Sequence, residues 1–241
     1  MKILAIDTSS SNCSVAISEC LDDKINILVE KNNDDEKTHS QKLMPMVDLS
    51  FKESNLTLDD IDLIACSIGP GSFTGIRIGI ASCKAFVDSK NIKATGITSL
   101  ESLAYNVTNT GYIISLIDCK NSNVYGGLFY NENGHYIKKA DLIADNINIV
   151  LLTFLSQIQK TDEQITFVGD ASVLYKDLIK ESTSIFQNVY FCDNNTQNSI
   201  SLTKCAYANF LNNNFGDSRV LSPLYLRASQ AEQTLKKKLE E

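Results

Sequence analysis

The stretch IACSIGPGSFTGIRIGIASCKAF, Ile64 to Phe86, decides how the rest of the chain is read. A short apolar run meets a glycine-rich turn, and the turn opens into a helical pattern. That is the layout of a phosphate-binding loop. The loop Gly69-Pro70-Gly71-Ser72-Phe73-Thr74-Gly75 nevertheless fits neither familiar phosphate pattern. G-x-x-x-x-G-K-[ST] needs a lysine after the last glycine, and here Ile76 follows. In G-x-G-x-x-G the last interval is one residue shorter, and no acidic residue ends the next strand at KATGI. Two uses stay open. The loop is either a packing turn or a helix N-terminus that holds an anion through Gly69, Gly71 and Ser72.

Working outward, KILAID, CSVAISE and INILVE read as strands. THSQKLMPMVDLSFKES has helical spacing, with Thr38 or Ser40 placed to cap it and Pro45 expected to bend it or mark its first turn. IDLIACSI is a buried type of strand, TGIRIGIASCKAFVDS a helix, IKATGI a strand, and SLESLAYNV a helix capped by Thr98 or Ser99. The order is β-β-β-α-β-α-β-α. From Gly111 it begins again: YIISLID, NVYGGLFY and GHYIKKA as strands, NINIVLLTFLSQIQ as a helix, ITFVGD, then SVLYKDLIKES as one helix, NVYFC, and SLTKCAYANFLNN as a helix. A frame I-x-x-I-D-x-x-x-x-N repeats without a gap, pairing Ile3, Ile6, Asp7, Asn12 and Ile17 with Ile114, Ile117, Asp118, Asn123 and Leu128. The doubled order predicts an α/β protein of two related lobes, residues 1–108 and 109–218, with 219–241 packing back on a lobe. A Rossmann-type binder does not fit that order.

The chain has 241 residues, 43% hydrophobic and 21% charged, which is enough apolar material for a buried core. Its net charge is −7, and its one basic run is Lys236-Lys237-Lys238, so a stand-alone nucleic-acid binder is not expected. Seven scattered cysteines without a C-x-x-C pair fit reduced, cytoplasmic usage. The first apolar run ends at Asp7, too soon for a signal peptide, and no run is long enough to span a membrane. His39 and His135 are the only histidines, so no His-based metal site is expected, and there is no G-x-S-x-G elbow.

Two features carry candidate chemistry. Asp7 and Asp118 each end the first strand of a lobe. Facing each other across a cleft they would flank a nucleotide and its Mg²⁺; otherwise they cap turns. The helix after the glycine loop sets Gly75, Gly79 and Cys83 four residues apart, which allows close backbone approach beside Ile76, Ile80 and Val87. The preceding helix carries Leu43, Val47 and Phe51 on one stripe, with Met44, Met46 and Leu49 spread beyond it. That arc is wider than a one-sided helix needs, so a second covering surface is expected. The methionines suit either the core or an adaptable binding face.

ILAIDTSSSNCSVAI, HSQKLMPMV, GPGSFTGIRIGI, GITSLESLA, LIDCKNSNVYGGLF and SPLYLR, in that order, closely resemble the TsaB (YeaZ) family. GPGSFTGIRIG is the most specific of these, while residues 135–215 carry little beyond their strand–helix order. The resemblance implies an actin/Hsp70-like (ribonuclease H-like) fold. It implies a non-catalytic partner of TsaD in forming N6-threonylcarbamoyladenosine at position 37 of tRNAs that read codons starting with A. TsaD is its heterodimer partner, the ATPase TsaE joins them, and tRNA is reached through the complex. The implied partner-binding residues lie on the two N-lobe helices: His39, Leu43, Met44, Val47, Phe51, Ile76, Gly79, Ile80 and Cys83. Asp7, Asp118, Gly69, Gly71 and Ser72 become a vestigial or shared nucleotide site, with ATP or ADP held only in the complex. TsaD-like chains carry an H-x-x-x-H segment where this one has Thr98, Ser99, Ser102 and Leu103. Asp170 stands where nucleotide users of the fold place the second glycine of a pair. An autonomous actin-fold ATPase or kinase is the alternative, and for the isolated chain both a monomer and a homodimer, pairing through an apolar face that awaits a partner, stay open.

Overall fold

The computed structural model describes residues 1–22, 24–33 and 39–227. The Thr38 cap and the lysine run at 236–238 lie outside them. The first sheet contains β1 (Lys2–Asp7), β2 (Cys13–Leu21), β3 (Lys24–Asn33), β4 (Leu63–Ser67) and β5 (Lys93–Ile97), in the order β3-β2-β1-β4-β5. The second contains β6 (Gly111–Asp118), β7 (Asn123–Glu132), β8 (His135–Lys138), β10 (Gln164–Val168) and β11 (Asn188–Phe191), in the matching order β8-β7-β6-β10-β11. A strand not foreseen in the sequence, β9 (Ile143–Asn146), also pairs with β7. It is four residues long and polar at its end, too short to show alternation.

Central β1 lies between an antiparallel neighbour and a parallel one, covered on both faces. Ile3, Leu4, Ala5 and Ile6 are therefore all fully buried, which is why KILAID reads as an unbroken apolar run. Leu4 and Ile6 face α1 (His39–Ser54) and α2 (Phe73–Lys90), packing with Leu43, Val47, Ile76 and Ile80. Ile3 and Ala5 face α7 (Ser199–Leu211), which follows the second sheet in sequence. Reciprocally α3 (Ser99–Ala104), which follows the first sheet, packs Leu100 and Leu103 on Ile113 and Ile117 of the second. Each lobe thus ends in a helix that covers the other lobe's sheet. Ser14 Oγ ties the exchange, accepting from Ser199 N at 2.9 Å and meeting Ser199 Oγ at 2.6 Å.

Caps fall where short polar side chains precede apolar periodicity. Ser72 Oγ accepts from Gly75 N, Thr98 Oγ1 from Glu101 N and Asn198 Oδ1 from Ser201 N. Pro45 lies inside α1 rather than in its first turn. The single helix expected over SVLYKDLIKES is two, α5 (Asp170–Leu174) and α6 (Lys176–Ser182), separated at Tyr175. Between β9 and β10 runs α4 (Ile147–Leu155), capped by Asn146.

The doubled order is real, but the ungapped residue frame is out of phase. Ile3 faces the exchanged helix α7, whereas its frame partner Ile114 packs with Val150 and Phe154 of α4 on the opposite side. The hairpins differ as well. Asp7 pairs with Ser14 across six residues, 8–13, and Asp118 with Val124 across five, 119–123. Side chains alternate with a period of two, so a one-residue slip turns every residue to the other face.

Candidate functional site

Between the lobes lies a cleft of about 840 Å³. The first lobe contributes the Ser9–Ser11 turn, the start of α1 and the glycine loop. The second contributes Ile117–Asn121, Asp170 and Asn195–Gln197, and residues 224–227 close one side.

The glycine loop packs on its own chain. Ser72 N donates to Ser9 O at 2.7 Å, Thr8 Oγ1 donates to Gly75 O at 2.7 Å, and the Gly75 amide is taken by Ser72 Oγ. A Cβ on Gly71 would stand 2.1 Å from Ser9 O, on Gly75 2.0 Å from Thr8 O, and on Gly79 2.3 Å from Thr8 Oγ1. The small-residue face of α2 therefore admits the β1–β2 turn, not another molecule. Gly71 and Ser72 border the cleft, while Gly69 lies buried behind Pro70.

The two aspartates do not face each other. Asp7 is fully buried and does not reach the cleft. Its Oδ1 accepts from Ser9 N at 2.8 Å and Ser9 Oγ at 2.6 Å; its Oδ2 has no partner. The Ser67 hydroxyl lies beside the carboxyl and meets Ser99 Oγ at 3.0 Å; when Ser99 is the donor there, Ser67 turns its own proton toward Asp7. Burial holds the Asp7 carboxyl above the usual carboxylate range, and the Ser9 bonds, the Ser67 hydroxyl and the nearby His39 oppose this without cancelling it. Asp118 does line the cleft. Its amide donates to Asp170 Oδ1 at 2.9 Å and its carboxylate meets Lys120 Nζ at 3.2 Å. The side chain at position 170 thus fastens the second lobe's hairpin turn. Of the two aspartates, one is thus sealed beneath the cleft, and the Ser72 amide at its edge is already engaged by Ser9.

The helix stripes also serve the chain itself. Leu43 (1% exposed), Val47 (3%), Ile76 (1%), Ile80 (5%) and Cys83 (0%) lie in the first lobe's core, and half-buried Phe51 packs against it. As an outward docking stripe this set is corrected: it faces the sheet. His39 is buried, with Nε2 2.8 Å from Ser10 O, fixing the serine turn to α1. Met46 is core, and Met44 and Leu49, each 47% exposed, face outward with Ala81 and Ala85 of α2.

No described thiol is poised as a nucleophile. Burial pushes Cys13 and Cys20 up to about 11, and contact with Cys83 together with burial raises Cys66 further. Among the described residues no group of three or more His, Cys, Asp or Glu could hold a metal ion, and no helix is long and apolar enough to cross a membrane. Sequence reasoning missed Cys119, Tyr225 and Arg227 as cleft residues; their nearness depends on how 219–227 runs back across the fold.

Residues 28–235 match the model of the family described as TsaD, tRNA N6-adenosine threonylcarbamoyltransferase. The tRNA threonylcarbamoyladenosine biosynthesis protein TsaB of Bacillus subtilis (strain 168) is 30% identical over 182 residues, covering 75% of this chain and 76% of that protein. The chain belongs to the TsaD-type family, in its TsaB branch. The TsaB of Escherichia coli (strain K12) is 28% identical over 199 residues, covering 78% and 79%. In fold, this TsaB-branch chain is similar to a Pseudomonas aeruginosa protein described as having similarity to peptidase YeaZ. The TM-score is 0.78 at 21% identity, over 94% of this chain and 99% of that one. A structure of YeaZ from Pseudomonas aeruginosa gives 0.74 at 20% identity, over 93% and 99%. The shared architecture is the two-lobed actin/Hsp70-like fold of the doubled order above.

Proposed function

We propose that the chain is a non-catalytic, cytoplasmic subunit for threonylcarbamoyladenosine formation on tRNA, binding a TsaD-type transferase through the α1–α2 face. The carrying observation is the engagement of GPGSFTG with the chain's own Thr8–Ser9 turn, which leaves the loop's Ser72 amide no phosphate to hold. The buried Asp7, the absence of histidine from GITSLESLA and the lack of a poised thiol support the same reading against an autonomous ATPase, kinase or peptidase. ATP or ADP then enters only in the assembled complex, alongside a TsaE-type ATPase. The net charge of −7 favours tRNA contact through the partner.

The docking face has moved one step around the helices from the stripe first read. Met44 and Leu49 of α1, on either flank of its buried stripe, and Phe73, Ala81 and Ala85 of α2 are exposed apolar residues of the two helices. The double variant Met44→Asp/Leu49→Asp should weaken binding to the organism's TsaD-type protein at least about a hundredfold while the fold stays intact. Isothermal titration and circular dichroism read the two. Unchanged affinity sinks this interface, and tight ATP binding with turnover by the chain alone sinks the non-catalytic reading. Val47→Asp is unsuitable as the test, because it places a carboxylate in the core.

A further inference from the structure

The segment Leu221–Arg227 touches both lobes. Leu221 is fully buried in the first lobe's core, and Leu224 N donates to Ile68 O at 2.8 Å at the end of β4. Tyr225 stacks on Phe73 at the start of α2, ring centroids 4.9 Å apart. Arg77 lies over the Phe73 ring at 3.9 Å and donates from Nε to Tyr225 Oη at 2.8 Å. The next residue leaves the first lobe: Leu226 packs with the interlobe cluster of α3 and the second sheet. Arg227 then donates from Nη1 to Cys119 Sγ at 3.2 Å, on the second lobe's cleft wall.

We infer that Leu221–Arg227 is a clasp that covers the Cys119 wall of the cleft and couples it to the exposed end of α2. The coupling is physical because the anchors are two residues apart. An extended chain spans at most about 3.3–3.6 Å per residue, so Tyr225 cannot leave Phe73 and Arg77 far without drawing Arg227 from Cys119. Tyr225 is 43% exposed and Phe73 39% exposed, so a group that takes Phe73 or Arg77 from Tyr225 has open access. This inference stands apart from the partner reading, since every contact in it lies within the chain.

The test perturbs one lobe and reads the other. Arg77→Ala and Tyr225→Ala, both at exposed positions, remove the last first-lobe contacts before Arg227 while Leu221 and Leu224 stay held, and alkylation of Cys119 by iodoacetamide is followed by mass spectrometry. Cys192, which shares the interlobe cluster with Leu226 but takes no hydrogen bond from the clasp, is the comparison thiol. Loss of a ring stack and a hydrogen bond should speed Cys119 labelling about fivefold, with Cys192 unchanged. The sign is diagnostic. Arg227 favours the thiolate, so losing its charge alone would slow alkylation; only exposure speeds it. An unchanged or slower Cys119 rate in both variants overturns the clasp. So does an equal rise at Cys192, which would mean general loosening.

Discussion

Replacing Asp7 by asparagine should stabilise this protein at neutral pH. The carboxyl is fully buried, with one oxygen held by Ser9 N and Oγ and the other without a partner. Asparagine keeps the first oxygen and puts a neutral amide where a buried carboxyl oxygen without a partner now sits. An unsatisfied buried polar group costs about 1–3 kcal/mol and a charged one more, so the expected gain is about 1–3 kcal/mol. For a chain of this length that is roughly 3–9 °C in Tm. The pH dependence follows from the direction of the shift. The unfolded carboxyl ionises near 3.8, and burial raises the folded value. Between the two, the folded state holds a proton that the unfolded state has released, so the parent loses stability as pH rises through that window, and the loss is constant above it. The variant's advantage should be smallest near the acid end and grow upward until it levels off. Urea melts from pH 4 to 8 measure it. A variant less stable than the parent at pH 7, or a gap independent of pH, refutes the reasoning. So does a parent stabilised by Mg²⁺ when the variant is not, because Asp7 would then be an ionised ligand and the cleft a working nucleotide site.

Other expectations concern the joints of the fold. Gly75→Ala sets a Cβ 2.0 Å from a backbone oxygen and should cost about 3 kcal/mol or more in a denaturant melt; a loss under about 1 kcal/mol would mean that α2 can slide away from Thr8. Ser14→Ala leaves Ser199 N without its partner at the start of α7 and should cost about 1–3 kcal/mol, most visible as faster amide exchange in α7. No change in that helix would show that Leu202, Cys205 and Ala206 hold it alone. The outward-face variant Met44→Asp/Leu49→Asp should instead leave the melting curve within about 0.5 kcal/mol of the parent while binding falls.

The sequence by itself determined the doubled order of the main elements, though not β9 or the break between α5 and α6. Apolar runs, caps and turn residues act over a few neighbours, so KILAID, a cap at Thr98 or Ser99 and the doubled β-β-β-α-β-α-β-α pattern are legible one segment at a time. GPGSFTGIRIG was legible too, as a turn between strand and helix that fits no phosphate pattern. Tertiary structure decided which way each face points. A strand's two sides differ by one residue and a helix's sides by a fraction of a turn. Asp7 and Asp118 share a sequence frame yet end on opposite faces, and the Leu43–Val47 stripe turns inward while Met44 and Leu49 remain outside. Only the folded chain brings Arg227 to Cys119 and Thr8 to Gly75, because those contacts join residues 108 and 67 positions apart. The loop that opened the question gets its meaning from the second of them: its glycines make room for the protein's own first turn.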